Sequence, residues 1–412
     1  MIPSSAAQSS VRYSSSVREV PIAWTLKHAR QLAGKLGITR VTDVTRLDRV
    51  GVPVFCSIRP GAQPGSLCVN AGKGLTQEEA RVGAYMEAIE FALAEFGASS
   101  IQTVLAKPRD LLGSALNPDG VLDFCPLENT IIPLHGPLQC VEADEIITGT
   151  RCLVPAEQVF MPYPPRVRGI RGFGSSTNGL ASGNSVLEAT IHGIAETIER
   201  DITSFQMFRN TSALVLKSSY PKSIASVAAA IREAGLKLFV RYAPNEFRLP
   251  HFKAVVYDPV ERNPIYVSAG WGCHVDRSIA LTRAVCEALQ SRLSFIHGGR
   301  DDLTKRYAEF VGWDLSTIQN YTNVLVRRAS ARKRVISFDA VPGPGDGTRD
   351  LQTILGILIE ALNRAGLNRI CRIIFTMPEA ALHVVRIIVP KLEFYDPSYK
   401  RIGKRLRDHV TK

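Results

Sequence analysis

Several signatures that would place this chain at a glance are missing. No two of its eight cysteines stand as a C-x-x-C pair, so the usual zinc-ligand spacing is absent. A chain of 412 residues is also too large to need a disulfide framework. Reduced thiols in a cytoplasmic protein are the expectation. No apolar run reaches the roughly eighteen residues that a membrane span requires, so no membrane is expected as a partner. The opening stretch "MIPSSAAQSSVRYSSSVREV" is Ser-rich and lacks an apolar h-region, which excludes a secretory signal. No G-x-x-x-x-G-K-[ST] is present, so this is no P-loop enzyme. "GFGSSTNGLASGNS" contains no G-x-S-x-G, and no Ser/His/Asp nucleophile system is legible. Charge is sparse, at 21% of residues. The net +12 is scattered rather than gathered into a basic run, so it suits small anions and argues against nucleic acid as a partner.

What is present reads as an ordinary globular chain of the α+β class, 45% apolar and long enough for a large core. Residues 24–37 predict a helix ended by Gly37, and 38–59 alternate like strands with a turn at 51–53. Residues 101–170 are short apolar pieces broken by Pro and Gly, expected as a strand-and-loop insertion or cover. "RVISFDAV", "RDLQTILGILIEALNRAG", "ICRIIFTM" and "VVRIIVP" predict a C-terminal β-α-β-β unit over 330–395. The organisation expected is a flexible tail over 1–20, one main domain over 21–395 and a basic tail over 396–412.

The informative pattern is an internal repeat. "TQEEARVGAYMEAIEFA" from Thr76, "SVLEATIHGIAETIERD" from Ser185 and "DRSIALTRAVCEALQSR" from Asp276 align in register. Each opens on an N-cap residue, and Glu79 and Glu188 complete capping boxes in the first two. Each has Ala four residues after the cap (Ala80, Ala189, Ala280). Eleven after it stands Glu (Glu87, Glu196, Glu287), and fourteen after it Glu90, Glu199 and Gln290. A Gly-rich approach precedes each cap. These are expected to be equivalent helices of one fold.

Positions three apart lie roughly 60° apart on one helix face. Glu87 with Glu90, and Glu196 with Glu199, are therefore paired carboxylates among apolar neighbours such as Met86, Ile89, Ile194 and Ile198. Buried without partners, such pairs cost several kcal/mol, and a hard cation removes that cost. Nearby bases point to phosphate as well: Arg200 follows Glu199, Arg283 and Arg292 flank Glu287 and Gln290, and Lys73 lies between two glycines. Acids for Mg2+ with Arg and Lys for phosphate oxygens suit a nucleoside triphosphate. Of these residues, Glu199, Arg200 and Arg292 are read as catalytic, with Lys73, Arg283 and Gln290 contacting the nucleotide.

At these residues the chain resembles the YcaO family, enzymes that use ATP to activate peptide backbone amides. The resemblance rests on "GKG…EARVGAYMEAIE", "SSTNGLASGNSVLEATIHGIAETIERD" and "ALTRAVCEALQSRL…GGRDD", and spans most of residues 38–395. It implies a YcaO-type catalytic domain with three capped helices around a nucleotide site and mixed sheets. It implies ATP and Mg2+, with metal on Glu87, Glu90, Glu196 and Glu199 and phosphate on Arg200. In the family's first pattern Gly83 stands where Ser is usual. In its second, Ser185 and Glu188 match while His192 replaces Gln, which places these three at the nucleotide.

Family members let a nucleophile add to the amide carbon and then phosphorylate the amide oxygen. Internal Cys, Ser or Thr gives an azoline, external sulfide a thioamide, and an internal amine an amidine. The N-terminal phrase and "VRIIVPKLE" resemble the subgroup that forms thioamides with a TfuA partner protein. Thioamide formation on a ribosomally made precursor peptide or protein, with a sulfide donor and a TfuA-like partner, is the activity expected. Azoline or amidine formation is the alternative within the family, and a non-catalytic nucleotide-binding scaffold the alternative outside it. A homodimer is compatible with this reading.

Overall fold

Glycine on a strand and alanine on a helix account for the repeat. The computed structural model describes residues 10–111, 118–133, 135–261, 263–397 and 400–410. Elements are numbered along the chain. Strands β5 (Val69–Lys73), β9 (Leu180–Gly183) and β13 (Val267–Cys273) each run into one of the three helices, α2 (Gln77–Ala94), α4 (Val186–Phe208) and α6 (Arg277–His297). A Cβ on Gly72 would lie 2.1 Å from the Ala80 carbonyl, and one on Gly272 would lie 2.1 Å from that of Ala280. A Cβ on Gly183 would meet the Ala189 amide at 2.6 Å. The helix backbone thus sits directly on its strand, and only glycine below and a small residue above permit that approach. Gly83 has the same cause: a side chain there would press on Gly72 Cα at 3.3 Å.

The chain forms two compact units with interleaved segments. One takes the chain up to Gly61, Leu67–Ala88 and Thr211–Ile357; the other takes Ala62–Ser66, Ile89–Asn210 and Leu358–Lys412. In the first, β3 (Arg40–Asp43), β4 (Val54–Ile58) and β5 form an antiparallel sheet. A five-stranded sheet follows, ordered β13, β12 (His251–Tyr257), β11 (Lys237–Tyr242), β10 (Ala213–Val215), β14 (Val335–Ile336), with only the last pairing parallel. Helix α6 lays Leu281, Val285 and Leu289 on this sheet, in one core with Leu238, Val240 and Val256 and with Ile224 and Ile231 of α5 (Lys222–Glu233). Each such side chain contributes roughly 1.5–3 kcal/mol by burial. Helices α1 (Ile22–Lys35), α7 (Leu303–Ala308) and α8 (Leu315–Ser330) belong to the same unit.

In the second unit six strands form one sheet, ordered β6 (Val104–Ala106), β7 (Leu138–Glu145), β15 (Cys371–Ile374), β16 (His383–Ile388), β9, with β8 (Thr150–Pro155) also on β7. A short helix α3 (Ala156–Val159) follows β8, and α4 crosses β9 and β16.

Four segments differ from the sequence reading. Residues 11–18 form a hairpin, β1 (Val11–Arg12) with β2 (Val17–Arg18), anchored by Arg12 to Asp276 at 2.5 Å and by Ser14 to Glu79 at 2.8 Å; the first nine residues of the expected tail lie outside the described residues. The 101–170 segment, read as a strand-and-loop insertion or cover, supplies β7, an interior strand of the sheet. The expected β-α-β-β unit is divided: β14 is two residues long and pairs with β10, whereas β15 and β16 pair with each other in the other sheet. Between them α9 (Leu351–Arg364) forms as expected. The basic C-terminal segment folds as well, into α10 (Lys404–Val410) with Leu406 fully buried.

Candidate functional site

Local capping sets each helix in place. Glu79 N–H donates to Thr76 Oγ1 at 3.2 Å and Thr76 N–H to Glu79 at 3.3 Å. Ser185 Oγ accepts Glu188 N–H at 3.1 Å, and Asp276 accepts from Ser278 and Ile279. Glu188 is itself buried and accepts the Asn184 N–H at 3.2 Å and its side-chain amide at 3.0 Å.

The glutamates eleven residues after the caps share one device. Each accepts a backbone N–H from the segment leading into its helix: Glu87 from Ala71 at 2.8 Å, Glu196 from Gly179 at 3.3 Å, Glu287 from Trp271 at 3.3 Å. The positions fourteen after the caps are also tied down. Ser182 donates to Glu90 at 2.5 Å, and Gln290 donates to the Ala71 carbonyl at 3.0 Å. Glu199 is buried on α4. Hydrogen bonds of this kind hold a carboxylate in one rotamer.

In the first unit, Lys73 Nζ lies 2.9 Å from Glu287 Oε2, with Arg283 and Glu87 within electrostatic reach. Burial works against the Lys73 ammonium, but Glu287 outweighs it and raises its pKa. Burial pushes the Glu87 carboxyl above the usual carboxylate range, opposed by Arg300, Lys73 and the Ala71 N–H. Arg300 was missed in the sequence, although "GGRDD" contained it. Cys56 Sγ lies 3.4 Å from His297 Nε2, but burial and Glu87 push that thiol up to about 11, so it is no ready nucleophile.

In the second unit, Arg200 lies over the Phe394 ring at 5.9 Å, and His192 is half-buried on α4 beside Gly193. Ser182 and Arg386 are further residues not found by sequence reading. The only signal for Arg386 was a lone Arg inside the apolar strand "HVVRIIVP".

Arg292, read as catalytic from the sequence, is engaged by acids of its own unit. Its Nε pairs with Asp48 at 3.0 Å and its Nη2 lies 3.9 Å from Asp258, with the side chain 7% exposed. Two residues beyond Gln290, it lies on the opposite side of α6.

The carboxylates suit Mg2+: they are hard oxygen donors, and a cation would relieve the strain of ionising buried Glu87. Among the described residues no three acidic, His or Cys side chains converge into a ready cage. Held acids with Lys and Arg nearby are the kind of donor set that suits a nucleotide-dependent enzyme.

Comparison with known proteins identifies it further. The model of the YcaO cyclodehydratase family, described as ATP- and Mg2+-binding, matches residues 71–393. An uncharacterized protein of Methanothermobacter thermautotrophicus is 34% identical over 392 residues, covering 94% of this chain and 97% of its own. An uncharacterized protein in the tfuA 3' region of Rhizobium leguminosarum bv. trifolii is 30% identical over 413 residues, covering 94% and 91%. YcaO from Methanopyrus kandleri, solved with AMPPCP and Mg2+, shares the fold with TM-score 0.73 at 24% identity, over 96% of this chain and 98% of that one. A heterocyclase in complex with substrate and cofactor gives 0.73 at 19%, over 97% and 56%. The chain belongs to the YcaO family, and its nucleotide and metal are ATP and Mg2+. Its general reaction is ATP-dependent activation of an amide.

Proposed function

We propose that this chain replaces the oxygen of a peptide backbone amide with sulfur, in a ribosomally made peptide or protein, and that it works in the cytoplasm with a TfuA-like partner. The observation that carries this reading is the 30% identical relative from a tfuA 3' region, matched along nearly the whole of both chains. In the reaction proposed, sulfide adds to the amide carbon and the former carbonyl oxygen takes the γ-phosphoryl group of ATP. The C–O bond then breaks with phosphate as leaving group, and loss of a proton leaves the thioamide, ADP and phosphate. Phosphorylation matters because an amide oxygen is a poor leaving group and phosphate a good one.

In this assignment Glu87, Glu90, Glu196 and Glu199 hold Mg2+, which when bound neutralises charge on the phosphates. Lys73, Arg200 and Arg283 take phosphate oxygens, and Ser185, Glu188, His192 and Gln290 border the nucleotide. The Ser182–Glu90 and Ala71–Glu87 hydrogen bonds support the metal assignment, since they orient the two carboxylates.

The test combines the protein, ATP, Mg2+, sulfide, a candidate peptide and the partner protein. A peptide heavier by the difference between sulfur and oxygen, formed with phosphate release, is the expected outcome. Glu199→Gln should abolish the phosphate release; a variant that retains it would overturn the site assignment. The family's description as cyclodehydratases favours azoline formation as the second reading. Loss of water from a Cys-, Ser- or Thr-containing peptide without sulfide would select it.

A further inference from the structure

Arg386 lies on β16, every residue of which is buried, and is itself 0% exposed. A guanidinium cannot shed its charge, so burial there requires compensation. Its Nε donates to the Val159 carbonyl at 3.1 Å and its Nη1 to the Asn178 carbonyl at 2.9 Å. The amide of that same Asn178–Gly179 peptide group donates to Glu196 Oε1 at 3.3 Å. One peptide plane therefore carries the arginine on its oxygen and the glutamate on its nitrogen, and each hydrogen bond polarises the group toward the other.

The plane has little freedom to turn. Gly179 has φ of 75°, its carbonyl accepts the Ile387 N–H at 2.8 Å, and a Cβ there would lie 2.1 Å from the Ile387 carbonyl. The positive charge of Arg386 also acts on Glu196 and Glu90, whereas Nη2 has no hydrogen-bond partner among the described residues.

We propose that Arg386 is a positioning residue for the metal site, orienting Glu196 through the Asn178–Gly179 peptide group. This rests on the assignment of Glu196 as a metal ligand. A positioning role differs from a structural one in being coupled to Glu196. A lysine at 386 keeps the charge but cannot hold the Val159 and Asn178 carbonyls together in the same geometry.

The experiment measures Mn2+ binding to the full chain, with a non-hydrolysable ATP analogue, by electron paramagnetic resonance. It compares wild type, Arg386→Lys, Glu196→Gln and the double variant. Arg386→Lys should weaken Mn2+ binding about tenfold, the scale of lost support behind a metal ligand, and Glu196→Gln should weaken it as well. The double variant should bind no more weakly than Glu196→Gln alone, the coupling expected of residues acting as one unit. If Glu196→Gln leaves Mn2+ binding unchanged, the metal assignment falls and the positioning role with it. If Glu196→Gln weakens binding but Arg386→Lys does not, or the two losses add in full, only the positioning role is overturned. Arg386→Gln serves as the second variant. Failure of both Arg386 variants to fold would make Arg386 a residue of the fold and overturn the proposal.

Discussion

At the scale of single residues, this protein spends its buried charges on holding helix starts and acids in place. Asp276 is the plainest case. Burial alone would raise its pKa, but Arg12 at 2.5 Å and the N–H groups of Gly347 and Ile279 hold its carboxyl down at about 2, below its ordinary 3.8. A carboxyl with a depressed folded pKa stabilises the fold fully above its unfolded value, and that contribution is lost as pH falls through the folded one. The contribution is about 2 kcal/mol. In urea unfolding, the stability gap between wild type and Asp276→Asn should therefore narrow by about 2 kcal/mol between about pH 5 and about pH 2. A constant gap would mean that Asp276 acts only as a neutral cap. Glu87 shows the opposite balance, a buried acid lifted above its usual range. Its paired spacing with Glu90 was legible, but the Ala71 N–H and Arg300 that set its environment come from distant positions and were not.

At the scale of elements, a glycine strand beneath an alanine helix is the repeating unit. Gly72→Ala would place a methyl 2.0 Å from the Ala84 amide. No side-chain movement relieves a clash with backbone, so the cost should reach or exceed about 3 kcal/mol, the upper part of the range for overpacking. Its readout is a lowered Tm or loss of soluble protein, while Gly34→Ala, which meets nothing within 4 Å on α1, should be neutral or slightly stabilising. The three helices could be read from sequence because caps and periodicity are local signals. The division of residues 330–395 between two sheets could not. Val335–Ile336 pairs with β10, more than a hundred residues away, and nothing in the strand's own residues names that partner.

At the scale of the whole molecule, chain ends that read as tails are part of the packing. Glu393, 1% exposed, accepts the N–H groups of Gly403 at 2.6 Å and Leu406 at 2.8 Å. Asp201 on α4 pairs with Arg405 at 2.6 Å. Deleting residues 403–412 would leave two buried carboxylates without these partners, at a cost of about 3–5 kcal/mol. Thermal unfolding of the truncated chain should show a clearly lowered Tm; an unchanged Tm would make α10 dispensable. No described helix is long and apolar enough to cross a membrane, and the net charge of +12 favours anionic ligands such as ATP.

The sequence by itself determined the helix starts, the Gly-rich approach to each and the acids repeated at fixed distance from each cap. All of these follow from rules that act over a few residues. Only the tertiary structure decided which base meets which acid: Lys73 went to Glu287, Arg292 to Asp48, and Arg386 reached Glu196 through a peptide group. Those pairings join residues far apart in the chain. They depend on strand order and on burial, which makes an unmatched charge costly and so selects its partner.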